Sequence, residues 1–183
     1  MSRLILLNGP PGIGKSTLAR RYADAHPGVL SCDIDLLRTL VGGWEGDFEG
    51  AGTLIRPAAQ ALIRAYLTSG HDVVLPQMLI DPVELMAFAA CATDVGAQFV
   101  ERVLMDTPAA TVARFHRRGA LESADPWHDR VRAIVAASGG DEVLLRYHAA
   151  LERLVQERPD AVVIVTTAGA ADEAYLALAD SLR

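Results

Sequence analysis

A lysine, a serine and three closely spaced glycines are the residues best equipped for chemistry. They stand in Gly9-Pro10-Pro11-Gly12-Ile13-Gly14-Lys15-Ser16-Thr17, between the apolar run Leu4-Ile5-Leu6-Leu7 and a stretch with helical spacing. The pattern G-x-x-x-x-G-K-S in a strand-loop-helix setting is the Walker A phosphate loop. Glycines at these positions let the backbone take positive φ and close round an anion. Successive N–H groups and the following helix N-terminus would then point at phosphate oxygens. Lys15 would reach the outer phosphates, and the Ser16 hydroxyl would ligate Mg²⁺. A glycine turn that happens to carry a lysine is the bland alternative, and eight matched positions with the right flanks weigh against it.

A second group of charged residues follows. Asp33 and Asp35 lie one residue apart at the end of a short apolar run, so their side chains diverge. Three residues of helix would return Arg38 to the face of Asp35. A carboxylate near a terminal phosphate can accept a proton from an attacking hydroxyl, and an arginine beside it can hold an anion or neutralise developing charge. Asp35 is equally suited to cap a helix, and Arg38 to sit on a surface. Asp33 is a second candidate for Mg²⁺, through water, or else shapes the turn.

Basic residues recur in Arg114-Phe115-His116-Arg117-Arg118-Gly119. Guanidinium groups suit phosphate because their donors form a rigid fork. Arg114 and Arg118 share a helix face and are the first choices, with Arg117 third and Arg130 and Arg132 weaker; ordinary basicity at a helix C-terminus is the competing account. Asp106-Thr107-Pro108 reads as a helix cap rather than a site. The histidines share no metal spacing, and neither do Cys32 and Cys91, which fit a reduced compartment.

The elements that must position these residues can be read from apolar spacing. The chain has 183 residues, is 51% hydrophobic and only 5% aromatic, and carries a net charge of −6. A core of Ala, Val, Leu and Ile suits a parallel sheet covered by helices. Strands are expected over 3–8, 29–32, 72–76, 98–105 and 161–166. Helices are expected over 15–25, 35–40, 57–69, 81–95, 106–118, from about 126, around 144–154, and at the C-terminal end. The alternation predicts an α/β, three-layer fold: a five-stranded parallel sheet in order 2-3-1-4-5, helices on both faces, and a small arginine-bearing lid at about 119–128. One domain spans 1–183. The carboxyl ends of the strands would collect the phosphate loop, Asp33, Asp35, Gln77, Asp106 and Thr166 on one rim.

The stretch 42–52 holds five glycines and three acids around Trp44 and Phe48. It is expected to be a mobile loop, either a solvated connection or part of an acceptor pocket with Trp44 or Phe48 as an apolar wall. Its acidity fits a neutral or cationic acceptor. No apolar run reaches the roughly 18 residues of a membrane span, and the chain enters its first strand at once, so a cytoplasmic location is expected. The negative charge disfavours a nucleic-acid partner. Nothing in the sequence fixes an oligomeric state.

The loop Gly9–Thr17, the pair Asp35-x-x-Arg38 and the Arg114–Arg118 cluster together resemble P-loop kinases of the nucleoside-monophosphate-kinase superfamily. Within it the chain resembles the chloramphenicol phosphotransferase-like and polynucleotide-kinase-like group, often classed with AAA-type ATPases. That resemblance implies that Asp35, or failing it Asp33, is the general base for a substrate hydroxyl. It implies that Arg38 matches an arginine of the polynucleotide kinases, that arginines near 114–118 close over ATP, and that the turn at Thr166 runs near adenine. One departure is Gln77, where relatives often carry an acid at the end of the third strand. A neutral amide cannot replace that charge, and Gln77 would instead hydrogen-bond an acceptor or simply end the strand. The expected activity is ATP-dependent transfer of a γ-phosphate to a hydroxyl of a small molecule. A polynucleotide 5′-hydroxyl kinase and a nucleotide-binding regulatory ATPase without an acceptor are the alternatives.

Overall fold

A computed structural model describes residues 1–121 and 126–183, with side chains described outside 118–126. It begins with β1 (Arg3–Asn8), whose four central residues Leu4 to Leu7 are fully buried. In a strand, alternate side chains face opposite ways. Leu4 and Leu6 therefore enter one core with Ile34, Ile63, Leu75 and Phe88, while Ile5 and Leu7 enter another with Leu18, Tyr22, Val74 and Leu104. A strand apolar on both faces has to be central in a sheet covered on both sides.

β1 pairs in parallel with β3 (Val73–Pro76) on one side and with β4 (Gln98–Met105) on the other. β2 (Leu30–Ser31) lies outside β3 and β5 (Val162–Val165) outside β4, giving a parallel sheet in order 2-3-1-4-5, as expected. Helix α1 (Lys15–Ala25) follows the phosphate loop and packs with α8 (Ala171–Ser181) on one face. On the other face lie α3 (Phe48–Thr68) and α4 (Pro82–Thr93), with Asp81 capping α4 through Val83 N. Helices α5 (Pro108–Leu121), α6 (Pro126–Ala137) and α7 (Asp141–Glu157) form a smaller cluster around Phe115, Val135 and Leu144. Among the described residues no helix is long and apolar enough to cross a membrane.

Several expected boundaries move. Helix α2 is Ile34–Arg38, and its cap is Asp33 rather than Asp35: the Asp33 carboxylate accepts from Asp35 N at 3.0 Å. The stretch 42–52 is not one mobile loop. Residues 38–47 close successive turns, Val41 N donating to Arg38 O at 3.0 Å and Gly46 N to Gly43 O at 3.0 Å, and α3 starts at Phe48, nine residues before the expected 57. Asp47 caps it through Gly50 N at 2.9 Å, and the packing of the Phe48 ring outweighs two glycines and the interior Pro57. Helix α5 runs to Leu121, three residues beyond the expected end.

Candidate active site

The phosphate loop is built by a strand that stops and a helix that starts with little room between. Gly9 has φ of 145°, and a Cβ there would lie 2.6 Å from Leu104 O; Gly12 has φ of 80°, and a Cβ there would lie 3.0 Å from the Phe115 Cα. Any side chain at Gly9 would displace β4, and one at Gly12 would push against α5. Asn8, fully buried at the end of β1, accepts from Gly9 N at 2.9 Å and from Leu79 N at 3.0 Å, and its amide donates to Leu79 O at 2.8 Å. One side chain thus ties the phosphate loop to the segment after β3. Sequence reasoning passed over it as an ordinary strand end.

Lys15 curls over the loop, donating to Gly9 O at 2.9 Å and Pro10 O at 3.0 Å. Pro11, Gly12, Gly14, Lys15 and Ser16 open into a cavity of about 730 Å³. Ile13 is buried, and Thr17 faces outward at the start of α1.

Asp33, Asp35 and Arg38 line the same cavity. With the cap duty taken by Asp33, the Asp35 carboxylate is left for other work. Burial, and then the neighbouring Asp33 charge, push Asp35 up to about 6, against the opposing pull of Arg38, Lys15 and Arg56. Arg38 is only 5% exposed. Its guanidinium lies 4.1 Å from the centre of the Phe48 ring and 5.3 Å from that of Trp127, and its Nε has no hydrogen-bond partner among the described residues. Burial lowers its pKa, yet a guanidinium keeps its charge. Gly52 makes room for it, since a Cβ there would sit 3.0 Å from Arg38 Nη2.

Trp44 and Phe48 both line the cavity, and Trp127 lies between them at ring separations of 5.8 and 5.2 Å. Trp127 was not among the residues singled out from sequence. The available signal was scarcity, since the chain has only two tryptophans and one of them follows the arginine-rich segment. Gln77 is not among the residues that line the cavity. Its backbone N–H donates to Leu7 O at 3.2 Å, its side chain is buried with Oε1 unpartnered, and Pro76 and Met78 line the cavity instead.

Arg114 is drawn into the foundation of the phosphate loop rather than over its mouth. It donates to Ile13 O at 2.8 Å and Thr166 O at 3.2 Å, and pairs with Asp106 at 3.3 Å. Asp106 therefore does more than cap α5, a role taken by Thr107, whose hydroxyl accepts from Ala110 N at 3.2 Å. Arg117 is exposed, while the side chain of Arg118 and much of the expected 119–128 lid lie outside the described residues. Arg132 lines the cavity and pairs with Asp129. Among the described residues no three His, Cys, Asp or Glu side chains gather as a metal cluster.

A glycine-walled anion cradle at the carboxyl edge of a 2-3-1-4-5 parallel sheet defines a P-loop nucleotide-binding protein with the fold of the P-loop kinases. The chain belongs to the AAA domain family, which it matches over residues 4–154. No curated protein compared with it matches. Among solved structures it is similar to a tunicamycin resistance protein from Deinococcus radiodurans, with a TM-score of 0.61 and 19% identity over 100% of this chain and 96% of the other. It is also similar to a gluconokinase from Sinorhizobium meliloti, with a TM-score of 0.58 and 18% identity over 99% and 95% of the two chains. At such identities the shared property is the fold.

Proposed function

We propose that the protein is an ATP-dependent phosphotransferase that moves the γ-phosphoryl group to a hydroxyl of a small molecule, acting as one domain over 1–183. The observation that carries this reading is Asp35: a carboxylate held near pKa 6, relieved of capping, on the wall of the cavity that Lys15 also enters. A pure nucleotide-binding switch has no need of such a base. In the reaction the acceptor oxygen attacks phosphorus as its proton passes to Asp35. The new O–P bond forms while the bond to the bridging oxygen breaks, and ADP leaves with the electron pair. Lys15 would turn from the loop carbonyls to the phosphates, and Arg38 would face the charge that builds between donor and acceptor.

Ser16 and Asp33 offer hard oxygen donors on the same cavity wall, the donor type that Mg²⁺ prefers. They would hold Mg²⁺ beside the nucleotide, where the ion would offset phosphate charge. Arg114 supports the loop, and any arginine that closes over ATP would come from the region of Arg117 and Arg118. The reading is tested by incubating the protein with labelled ATP and a panel of nucleosides, sugars, aminocyclitols, aryl alcohols and 5′-hydroxyl oligonucleotides. Transfer to a small alcohol that Lys15→Ala abolishes supports it. ATP binding with no transfer to any hydroxyl would overturn it, and preferential transfer to the oligonucleotides would move the assignment to a polynucleotide kinase.

A further inference from the structure

We infer that the acceptor hydroxyl is carried on a planar, apolar body that stacks in the Trp44–Phe48–Trp127 corner, and that Trp127 is the residue that sets this preference. The inference rests on the phosphotransferase reading and names its acceptor class. Three separate elements bring these rings together: the turns after α2, the first residue of α3, and the start of α6. A chain with so few aromatics has put three in one corner of its cavity, each only partly buried. Half-covered rings around a cavity offer apolar surface to a ligand, and planar ligands bury the most of it.

The remainder of the wall agrees. Val131 and Val135 of α6 line the cavity, as does Leu36, which is 66% exposed. A polyol needs a separate hydrogen-bonding group for most of its hydroxyls, and a buried hydroxyl left without one is costly. The described lining residues include no Asn or Gln. Of their three carboxylates, Asp33 caps α2 and Asp35 serves the reacting hydroxyl; beyond the groups that face the phosphates, Glu45, Thr39, His128, Tyr147 and Arg132, the last paired with Asp129, are the polar side chains of the wall.

The alternative tenant for such rings is the adenine of ATP, and the sheet order argues against it. Trp44 and Phe48 follow β2, and Phe48 and Trp127 both face the guanidinium of Arg38, which lines the cavity with Asp35 on the β2–β3 side of the phosphate loop. The β4–β5 side, where Arg114 and Thr166 brace the loop, is left for the rest of the nucleotide.

The test uses the full-length protein, with 2-naphthylmethanol as the planar acceptor and gluconate as the polyol acceptor. With a non-hydrolysable ATP analogue present, 2-naphthylmethanol should bind saturably in isothermal titration calorimetry. With ATP, it should be phosphorylated with a kcat/KM at least about tenfold above that of gluconate. Trp127→Ala should collapse the preference by raising the KM for the aryl alcohol about tenfold, the order expected for one lost ring stack, and Trp127→Phe should restore it. Trp44→Ala should act in the same direction from the opposite element, which guards against misfolding of a single variant. Preferred transfer to gluconate, or an unchanged preference in Trp127→Ala and Trp44→Ala, would overturn the inference and leave the phosphotransferase reading intact. A rise in the KM for ATP in place of that for the acceptor would assign the rings to adenine and overturn it equally. Saturable binding of the aryl alcohol with no transfer to any acceptor would sustain the stacking site while refuting the transferase.

Discussion

Asp35 gives the most direct experimental access at the scale of single residues. Its pKa of about 6 means that the carboxylate is protonated in acid and free to accept a proton above that value. Acceptor kcat/KM should therefore rise with pH and level off above about 6; a flat profile between pH 5 and 8 would remove Asp35 from proton transfer. Stability should run the other way. A carboxyl whose folded pKa exceeds its unfolded value binds more protons in the native state, so folding weakens as pH climbs from about 4 to about 6. Asp35→Asn removes that burden. It should cost about 10²–10⁴ in turnover with little change in ATP affinity, yet raise stability at pH 7 by on the order of 1–3 kcal/mol, read from paired kinetics and urea melts. Asp33→Asn separates the two functions of its neighbour. An asparagine caps as well as an aspartate, so the melting temperature should hold. The loss of the Asp33 charge should then shift the acid limb of the profile to lower pH, and a limb that stays in place would show that this charge does not reach Asp35.

Secondary-structure elements carry the site through two buried contacts that are easily overlooked. Asn8 satisfies the buried N–H groups of Gly9 and Leu79 at once. Asn8→Ala leaves both without a partner and should destabilise by about 2–4 kcal/mol in a chemical melt, with nucleotide affinity falling in parallel. A change under 1 kcal/mol would mean that the loop and the 77–80 segment hold their places without it. At this scale the sequence was informative where one pattern dominates. Lys15–Ala25, Gln98–Met105 and the cap at Asp81 were legible because apolar period, glycine and proline agree there. The start of α3 was not, because glycines at 50 and 52 speak locally for a loop, whereas the ring of Phe48 and the guanidinium of Arg38 stabilise a helix through contacts that no local window contains.

At the scale of the whole molecule, the 2-3-1-4-5 order places β1 between two working halves. Arg114, Asp106 and Thr166 brace the phosphate loop from the β4–β5 side, while Asp35, Arg38 and two of the three rings stand on the β2–β3 side. The overall charge of −6 bears on the whole surface as well. A single-stranded oligonucleotide should not bind at about 0.1 M salt, and steeply salt-dependent binding in a mobility or anisotropy assay would contradict the small-molecule assignment. Arg38 and Asp35 could be paired from spacing alone, since a helix returns residues three apart to one face. Trp127 could not, because its partners lie about 80 positions upstream and are brought to it only by tertiary packing of the α5–α7 cluster.

The placement of β1 also bears on how this protein can change. The grip is braced from one side of β1, and two of the three rings stand on the other side, where they can be altered without touching it. On the proposed reading, rewriting 39–48 would replace two rings of the acceptor wall without entering the buried network of Asn8, Arg114 and Asp106. On that reading substrate range is a replaceable part of the architecture, and grafting 39–48 between chains of this fold should move a specificity from one to another.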